Sequence, residues 1–207
     1  MLLAVSGSQG SGKSTVLAEL ESRGFKVLKR KISRSILSDW GVTLDEVNDD
    51  VELTLKFQDE IIVRKNADEL EAVSSPEVYF TERTYMDSVV YYLFSFGKFS
   101  TFDEKITEYT RRCEKYNNNY AAVFYLPAGM FSPVNDGVRA TNPYYVESVD
   151  VVLHHYLRKT MSDRLYCVES LAVNERADFI QNVIKSMRSG IDIQVPYGYD
   201  LPDRHRS

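Results

Sequence analysis

At 207 residues the chain is long enough for one well-buried domain and short for two, and its 43% hydrophobic and 27% charged residues are an ordinary globular balance. A formal charge of −5 argues against a general nucleic-acid binder, which carries a basic footprint, while leaving room for a local basic pocket. No apolar run approaches the roughly 18–20 residues that would span a membrane, and Cys113 and Cys167 lack zinc-ligand spacing, which fits a reducing compartment.

The first four predicted elements are short. Leu2 to Val5 is an apolar run that reads as a buried strand, and Ser14 to Leu20 reads as the first turns of a helix. Between them lies G-S-Q-G-S-G-K-S, Gly7 to Ser14, which fits G-x-x-x-x-G-K-[ST] at Gly7, Gly12, Lys13 and Ser14. Such a turn needs glycines, because the backbone must enter angles that a Cβ forbids and come close to an anion. The N–H groups of Gly7, Ser8, Gln9, Gly10, Ser11 and Gly12, with the helix start at Lys13, Ser14 and Thr15, would cradle phosphate. Lys13 would reach the β- and γ-phosphates of ATP, and the Ser14 hydroxyl would hold Mg²⁺. A functional loop by residue 7 also argues against a cleaved signal, so a cytoplasmic protein is expected. Gly24 closes the first helix, and Phe25 to Leu28 is a second strand.

Lys29 to Arg34 is strongly basic and sits at the C-terminal end of a strand, the edge where open α/β sheets bind ligands. Residues 35–50 are less regular, with a break at Trp40-Gly41 and a helical turn at Leu44 to Val47. Val51 to Val73 reads as a long helix capped by Asp49 or Asp50, with Val51, Leu55 and Ile62 on one stripe beside Phe57 and Ile61. Ser75-Pro76 ends it. Val78 to Thr81 is a strand running into Glu82-Arg83-Thr84-Tyr85-Met86-Asp87, and a helix follows to Gly97.

Thr101 to Glu104 has the pattern of a capping box opening a helix that ends near Tyr116. Ala121 to Leu126 is a strand stopped by Pro127. Residues 128–145 form a long loop rich in Gly, Pro, Asn and Asp, and loops of that length tend to be lids or binding loops. Val146 to Met161 is a helix, Leu165 to Val168 the last strand and Asn174 to Met187 the last helix. Residues 1–190 are thus expected to form one domain, followed by a tail at 191–207 with an edge strand at Ile191 to Val195. Five strands alternating with helices predict an α/β protein: a five-stranded, mostly parallel sheet in a three-layer α/β/α arrangement with a lid loop.

Four clusters fall on the same edge as the phosphate loop: the loop itself, the basic run, Glu82 to Asp87, and the lid with Arg139. Together they describe phosphoryl transfer, in which the protein positions groups and neutralises charge. Glu82 would hold Mg²⁺ through water or accept a proton, Arg83 would bind the acceptor, and Arg139 would stabilise transferring charge. Tyr85, Trp40 or an aromatic of 91–96 would stack on the acceptor. His154-His155 reads as structural, since adjacent histidines on a helix point apart.

Gly7 to Ser14, E-R-T-Y-M-D at 82–87 and D-G-V-R at 136–139 make the chain resemble the P-loop nucleoside and nucleotide kinases. It is most similar to small phage-encoded kinases grouped with nicotinamide-riboside-kinase-like ATPase domains, over roughly residues 1–187. The resemblance implies the P-loop NTPase fold, ATP and Mg²⁺ as cofactors, and a host-cytoplasm location if the chain is phage-encoded. It maps the acceptor or transferred-phosphate arginine onto Arg83 with Glu82 as acidic partner, the lid arginine onto Arg139, and an acidic position of D-R-x-x-x-D onto Asp87 as a substrate contact.

Relatives that phosphorylate a neutral nucleoside hydroxyl often carry an E-Y-A-R stretch after strand two. Here Lys31-Ile32-Ser33-Arg34 stands in its place, so a cation replaces the acid while Arg34 is kept. A carboxylate suits a hydroxyl that must lose a proton, and lysine suits an acceptor already anionic. The expected reaction is therefore phosphorylation of a nucleoside monophosphate, a deoxynucleotide in thymidylate-kinase-like fashion, with Lys31, Arg34, Arg83, Tyr85 and Asp87 on the acceptor side. The alternatives are a nucleoside or nicotinamide riboside kinase, a kinase of a modified base in DNA, and a non-catalytic NTP-binding switch. The expected partner is a nucleotide substrate, with no stable nucleic-acid binding, no membrane, and a homodimer left open.

Overall fold

The computed structural model describes residues 1–28, 31–128, 142–170 and 172–190. Five strands, β1 (Leu2–Ser6), β2 (Lys26–Leu28), β3 (Tyr79–Glu82), β4 (Ala122–Tyr125) and β5 (Leu165–Cys167), form one sheet in the order β2-β3-β1-β4-β5. Every adjacent pair is parallel, so the expected mostly parallel sheet is fully so. The central strand is buried along its whole length, as a parallel strand covered on both faces should be.

Alternation along β1 divides the core. Leu2 and Ala4 face one layer, with Ile62, Ala72, Met86, Val89, Cys113, Val149 and Leu153. These come from α4 (Val51–Ser74), α5 (Tyr85–Phe96), α6 (Asp103–Asn117) and α7 (Pro143–Met161). Leu3 and Val5 face the other layer, with Val16, Leu17 and Leu20 of α1 (Lys13–Ser22) and Ala177, Ile180, Val183 and Ile184 of α8 (Val173–Ser189). A third cluster, Ile36, Val47 and Phe57, ties α2 (Ile32–Trp40) and α3 (Leu44–Asp49) to α4. All five strands point their C-terminal ends to one edge, and the β1–α1 turn lies there.

The structure corrects several expectations. Residues 35–40, the start of the stretch expected to be less regular, belong to α2, which ends at Gly41 with φ 66°. Its signal was Ile32, Ile36 and Trp40 at four-residue spacing; the basic run masked it, and the N-cap Lys31 supplies no side-chain bond. Thr101 caps nothing: Ser100–Phe102 is a 3₁₀ turn, and α6 starts at Asp103 without a side-chain cap. Capping boxes form instead at Thr43 with Glu46, opening α3, and at Thr84 with Asp87, opening α5. Val51, expected on the apolar stripe, is exposed at the first position after the Asp50 cap, while Leu53 and Thr54 of the same turn pack inward. α7 begins three residues earlier than expected, with Asn142 as cap and Pro143 at its first position. The edge strand expected at 191–195 lies outside the described residues.

Candidate functional site

The phosphate loop bends where its glycines permit. Gly7, Gly10 and Gly12 have φ of 145°, 76° and 88°. Gly12 is also the N-cap of α1, with no side-chain cap and no acidic residue in the first turn. That leaves a helix N-terminus whose partial positive charge is set for an anion. Within the loop Ser11 N donates to Ser8 O at 3.4 Å. Lys13 is only 5% exposed, and its ammonium donates to Ser8 O at 2.7 Å and Ser11 Oγ at 3.5 Å. Ser8 and Ser11 are buried, Gln9 and Gly10 half-buried, and Ser14 and Thr15 exposed at the start of α1.

A Cβ on Gly7 would lie 2.2 Å from the Leu126 carbonyl oxygen at the end of β4, a backbone atom that cannot move aside cheaply. Gly7→Ala is expected to cost about 1–3 kcal/mol through overpacking and to abolish nucleotide binding. A thermal melt together with an ADP titration checks both.

Glu82 ends β3 in register with Val5 and is half-buried. Arg83, next in sequence, has φ 69°, the one positive φ outside glycine among the described residues. A non-glycine residue held there costs on the order of 1–3 kcal/mol, and such strain gathers at functional positions. The surroundings fix it. Arg83 N donates to Val5 O at 2.8 Å, and its guanidinium, one-third exposed, donates to Asp87 Oδ1 at 3.2 Å and to the Tyr91 hydroxyl at 3.4 Å. It also lies 5.2 Å from the centre of the Tyr91 ring. Burial pulls the guanidinium pKa down, but Tyr91, Asp87 and Glu82 more than offset it and hold it above the ordinary arginine value.

Asp87 was expected to touch substrate. It is 1% exposed, and its second oxygen accepts from Ser6 Oγ at 2.7 Å, Thr84 N at 2.7 Å and Thr84 Oγ1 at 2.9 Å. Ser6 is the last residue before the phosphate loop, so one carboxylate joins the loop's strand to Arg83. Asp87 therefore bears on the site through Arg83. Tyr85 requires a correction: it is fully buried, stacked on Tyr120 with ring centres 5.8 Å apart, and belongs to the core beneath the site. Trp40 packs edge-on against Phe57 at 6.2 Å.

α2 and α4 frame a cleft of about 310 Å³ lined by Lys31, Ile32, Ser35, Asp39, Arg64 and Asp68. Lys31, at the start of α2, is one of the lining residues. Arg34 is exposed on α2 and is not among the lining residues. Ile32 and Asp68 also border an inner recess of about 20 Å³ with Leu28, Lys65, Glu69, Thr81 and Glu82, room for roughly one water. Arg139 lies outside the described residues.

Three buried polar features near the site escaped the sequence reading. Lys65 and Glu69 form a buried ion pair at 2.7 Å, and Lys65 also donates to Thr81 Oγ1 at 3.0 Å and Glu82 O at 3.2 Å. The Tyr120 hydroxyl donates to Glu69, and burial first, then the Glu69 charge, pushes its pKa well above the ordinary phenol value. Arg176 on α8 is 1% exposed and donates to the Ser11 carbonyl at 2.9 Å. The i,i+4 spacing of Lys65 and Glu69 was visible in the sequence; the partner of Arg176, 165 positions away, was not.

A family model described as "AAA domain" matches residues 2–176. The chain belongs to this AAA domain family of P-loop NTPases. A search of curated proteins finds no match for this AAA domain protein. Among solved structures it is similar to deoxyadenosine kinase from M. mycoides, over 90% of its own length and 100% of the other chain in each case. With the products dCMP and a flexible dCDP bound the identity is 18% and the TM-score 0.64; with dATP, 17% and 0.63; with dCTP, 18% and 0.66. At these identities the likeness is one of fold, and the AAA domain protein has the α/β fold of these kinases.

Proposed function

We propose that the protein transfers the γ-phosphoryl group of ATP to a nucleotide or nucleoside seated in the α2–α4 cleft, and that its acceptor is a nucleoside monophosphate, a deoxynucleotide in the first instance. The observation that carries this reading is the Asp87 carboxylate, which binds Ser6 at the mouth of the phosphate loop and Arg83 at the end of the adjacent strand. A polyphosphate cradle and a cation are thereby held at one edge, as in-line transfer between two bound substrates requires. Lys13 and the loop amides bind the ATP phosphates. Arg83 faces the acceptor or transferring phosphate, Lys31 neutralises an anionic acceptor, and Arg139 serves as the lid arginine.

The residues present suit Mg²⁺. Ser14 and Glu82 offer hard oxygen donors at the same edge, and among the described residues no cluster of three or more His, Cys, Asp or Glu could hold a metal alone. A metal that takes few protein ligands and shares phosphate oxygens fits that donor set. When bound, it neutralises charge on the β- and γ-phosphates.

A second reading, transfer to a nucleoside hydroxyl, is favoured by one observation: Asp68 and Glu82 bring carboxylates to the recess. Asp68 on α4 also lines the cleft, which makes a carboxylate available for a hydroxyl acceptor although Lys31 stands at the start of α2. Steady-state rates over deoxynucleoside monophosphates and free nucleosides separate the two. The monophosphates should lead by about 10–100-fold in kcat/KM, the equivalent of one charge-assisted hydrogen bond, and Lys31→Glu should erase that lead. Faster turnover of nucleosides by the wild type would overturn the monophosphate assignment.

A further inference from the structure

We propose that Arg176 is a positioning residue for phosphate binding, acting by fixing the peptide between Ser11 and Gly12. The inference rests on the phosphate loop holding polyphosphate and is independent of the acceptor. Arg176 sits in the first turn of α8 and is 1% exposed. One guanidinium nitrogen donates to Ser11 O at 2.9 Å, and Nε donates to the Ser170 carbonyl. One side chain thus spans from Ser170, shortly after β5, to the phosphate loop. Ser170 is itself held: its Oγ donates to the Glu175 carboxylate and accepts from Ala172 N at 3.3 Å.

The consequence follows from peptide geometry. The peptide is trans, so the Ser11 C=O and the Gly12 N–H point in opposite directions. Holding the carbonyl on Arg176 turns the Gly12 N–H to the other side of the loop. Gly12 has no Cβ and a φ of 88°, so without an external hold this plane is among the most easily rotated in the loop. Lys13 makes a parallel contact to Ser8 O from inside the loop. Arg176 supplies the hold from outside, and its own charge lies one peptide away from the cradle. Burial lowers the Arg176 pKa, but arginine remains charged at any working pH. Lysine has one donor centre and cannot span both carbonyls as the guanidinium does.

The test uses the full-length protein with ADP·Mg²⁺ and pyrophosphate as ligands, titrated calorimetrically, alongside thermal melts. Arg176→Met is expected to weaken both ligands by about 10–100-fold, the equivalent of one hydrogen bond to a charged group. Binding of adenosine, which has no phosphate, should change little. In Arg176→Ala, added guanidinium at millimolar concentration should restore part of the ADP affinity, a response that a merely structural residue would not give. If Arg176→Met does not fold, Arg176→Lys decides: the proposal expects several-fold weaker pyrophosphate binding. Wild-type affinity in whichever variant folds overturns the proposal, and so does an equal loss for adenosine and pyrophosphate. Wild-type protein that binds no ADP at all would instead refute the nucleotide-site reading on which it rests.

Discussion

Replacing Lys13 by alanine should lower ATP-dependent transfer by roughly 10²–10³-fold or more, the range for removing one preorganised donor from a transition-state site. The melting temperature should move far less than the activity does. Lys13 is buried at the start of α1 with its ammonium among the loop carbonyl and hydroxyl groups of Ser8 and Ser11. It is therefore held close to the groups that meet phosphate, and a donor fixed in advance costs nothing to reorganise during transfer. Lys13→Arg should fail nearly as badly, because the planar guanidinium is larger than the ammonium and the loop around it is closed by its own hydrogen bond. Acceptor-dependent ADP formation and a melt on each variant check this. Near-normal turnover in Lys13→Ala would remove the loop from the chemistry.

The second large effect is expected on stability. Glu69→Gln should destabilise the fold by about 3–5 kcal/mol, because it leaves the Lys65 ammonium buried without its counter-charge. In a chain of this length that corresponds to a fall in Tm of roughly 6–20 °C. Side-chain exposures of 5% for Lys65 and 1% for Glu69 leave little water to screen the loss. The Tyr120 hydroxyl would also lose an anionic acceptor. Removing both charges together, as Lys65→Met with Glu69→Leu, should recover much of the loss, since a buried pair replaced by apolar groups of similar volume is often near neutral. The double variant should nevertheless remain impaired in catalysis. Lys65 holds the Glu82 carbonyl and the Thr81 hydroxyl, so its removal frees the strand end that carries Glu82 and Arg83. Thermal melts and kcat on the two single variants and the double variant separate the two effects.

Much of the fold was legible because its signals are local. Each strand is a short apolar run at the foot of a turn or helix, and the phosphate loop combines glycines, lysine and serine in one unbroken stretch. The missed features depend on contacts between segments distant in sequence. Ile32, Ile36 and Trp40 did announce α2, but they overlap a run of cations that reads as a ligand-binding edge. Tyr85 looked available to an acceptor because it follows Arg83. Yet the capping box of Thr84 and Asp87 starts the helix at Tyr85 itself, and its ring turns into the core against Tyr120. Asp87 was singled out only by the resemblance, as the acidic position of D-R-x-x-x-D, and the structure adds that it binds Ser6 as well as Arg83. Lys65, Glu69 and Arg176 lie on helices in no motif that would single them out. Burial changes their meaning: a buried charge must be paired or hydrogen-bonded, and here the partners are the strand end and the phosphate loop.

The central claim is that this site turns over, moving a phosphoryl group from ATP to an acceptor. It is tested most directly by measuring ADP released from ATP·Mg²⁺ across all ribo- and deoxyribonucleoside monophosphates, the free nucleosides and nicotinamide riboside. The predicted result is acceptor-dependent ADP formation, fastest with a deoxynucleoside monophosphate and lost in Lys13→Ala. ATP bound by the wild type with no ADP formed for any acceptor would contradict it and leave an NTP-binding switch.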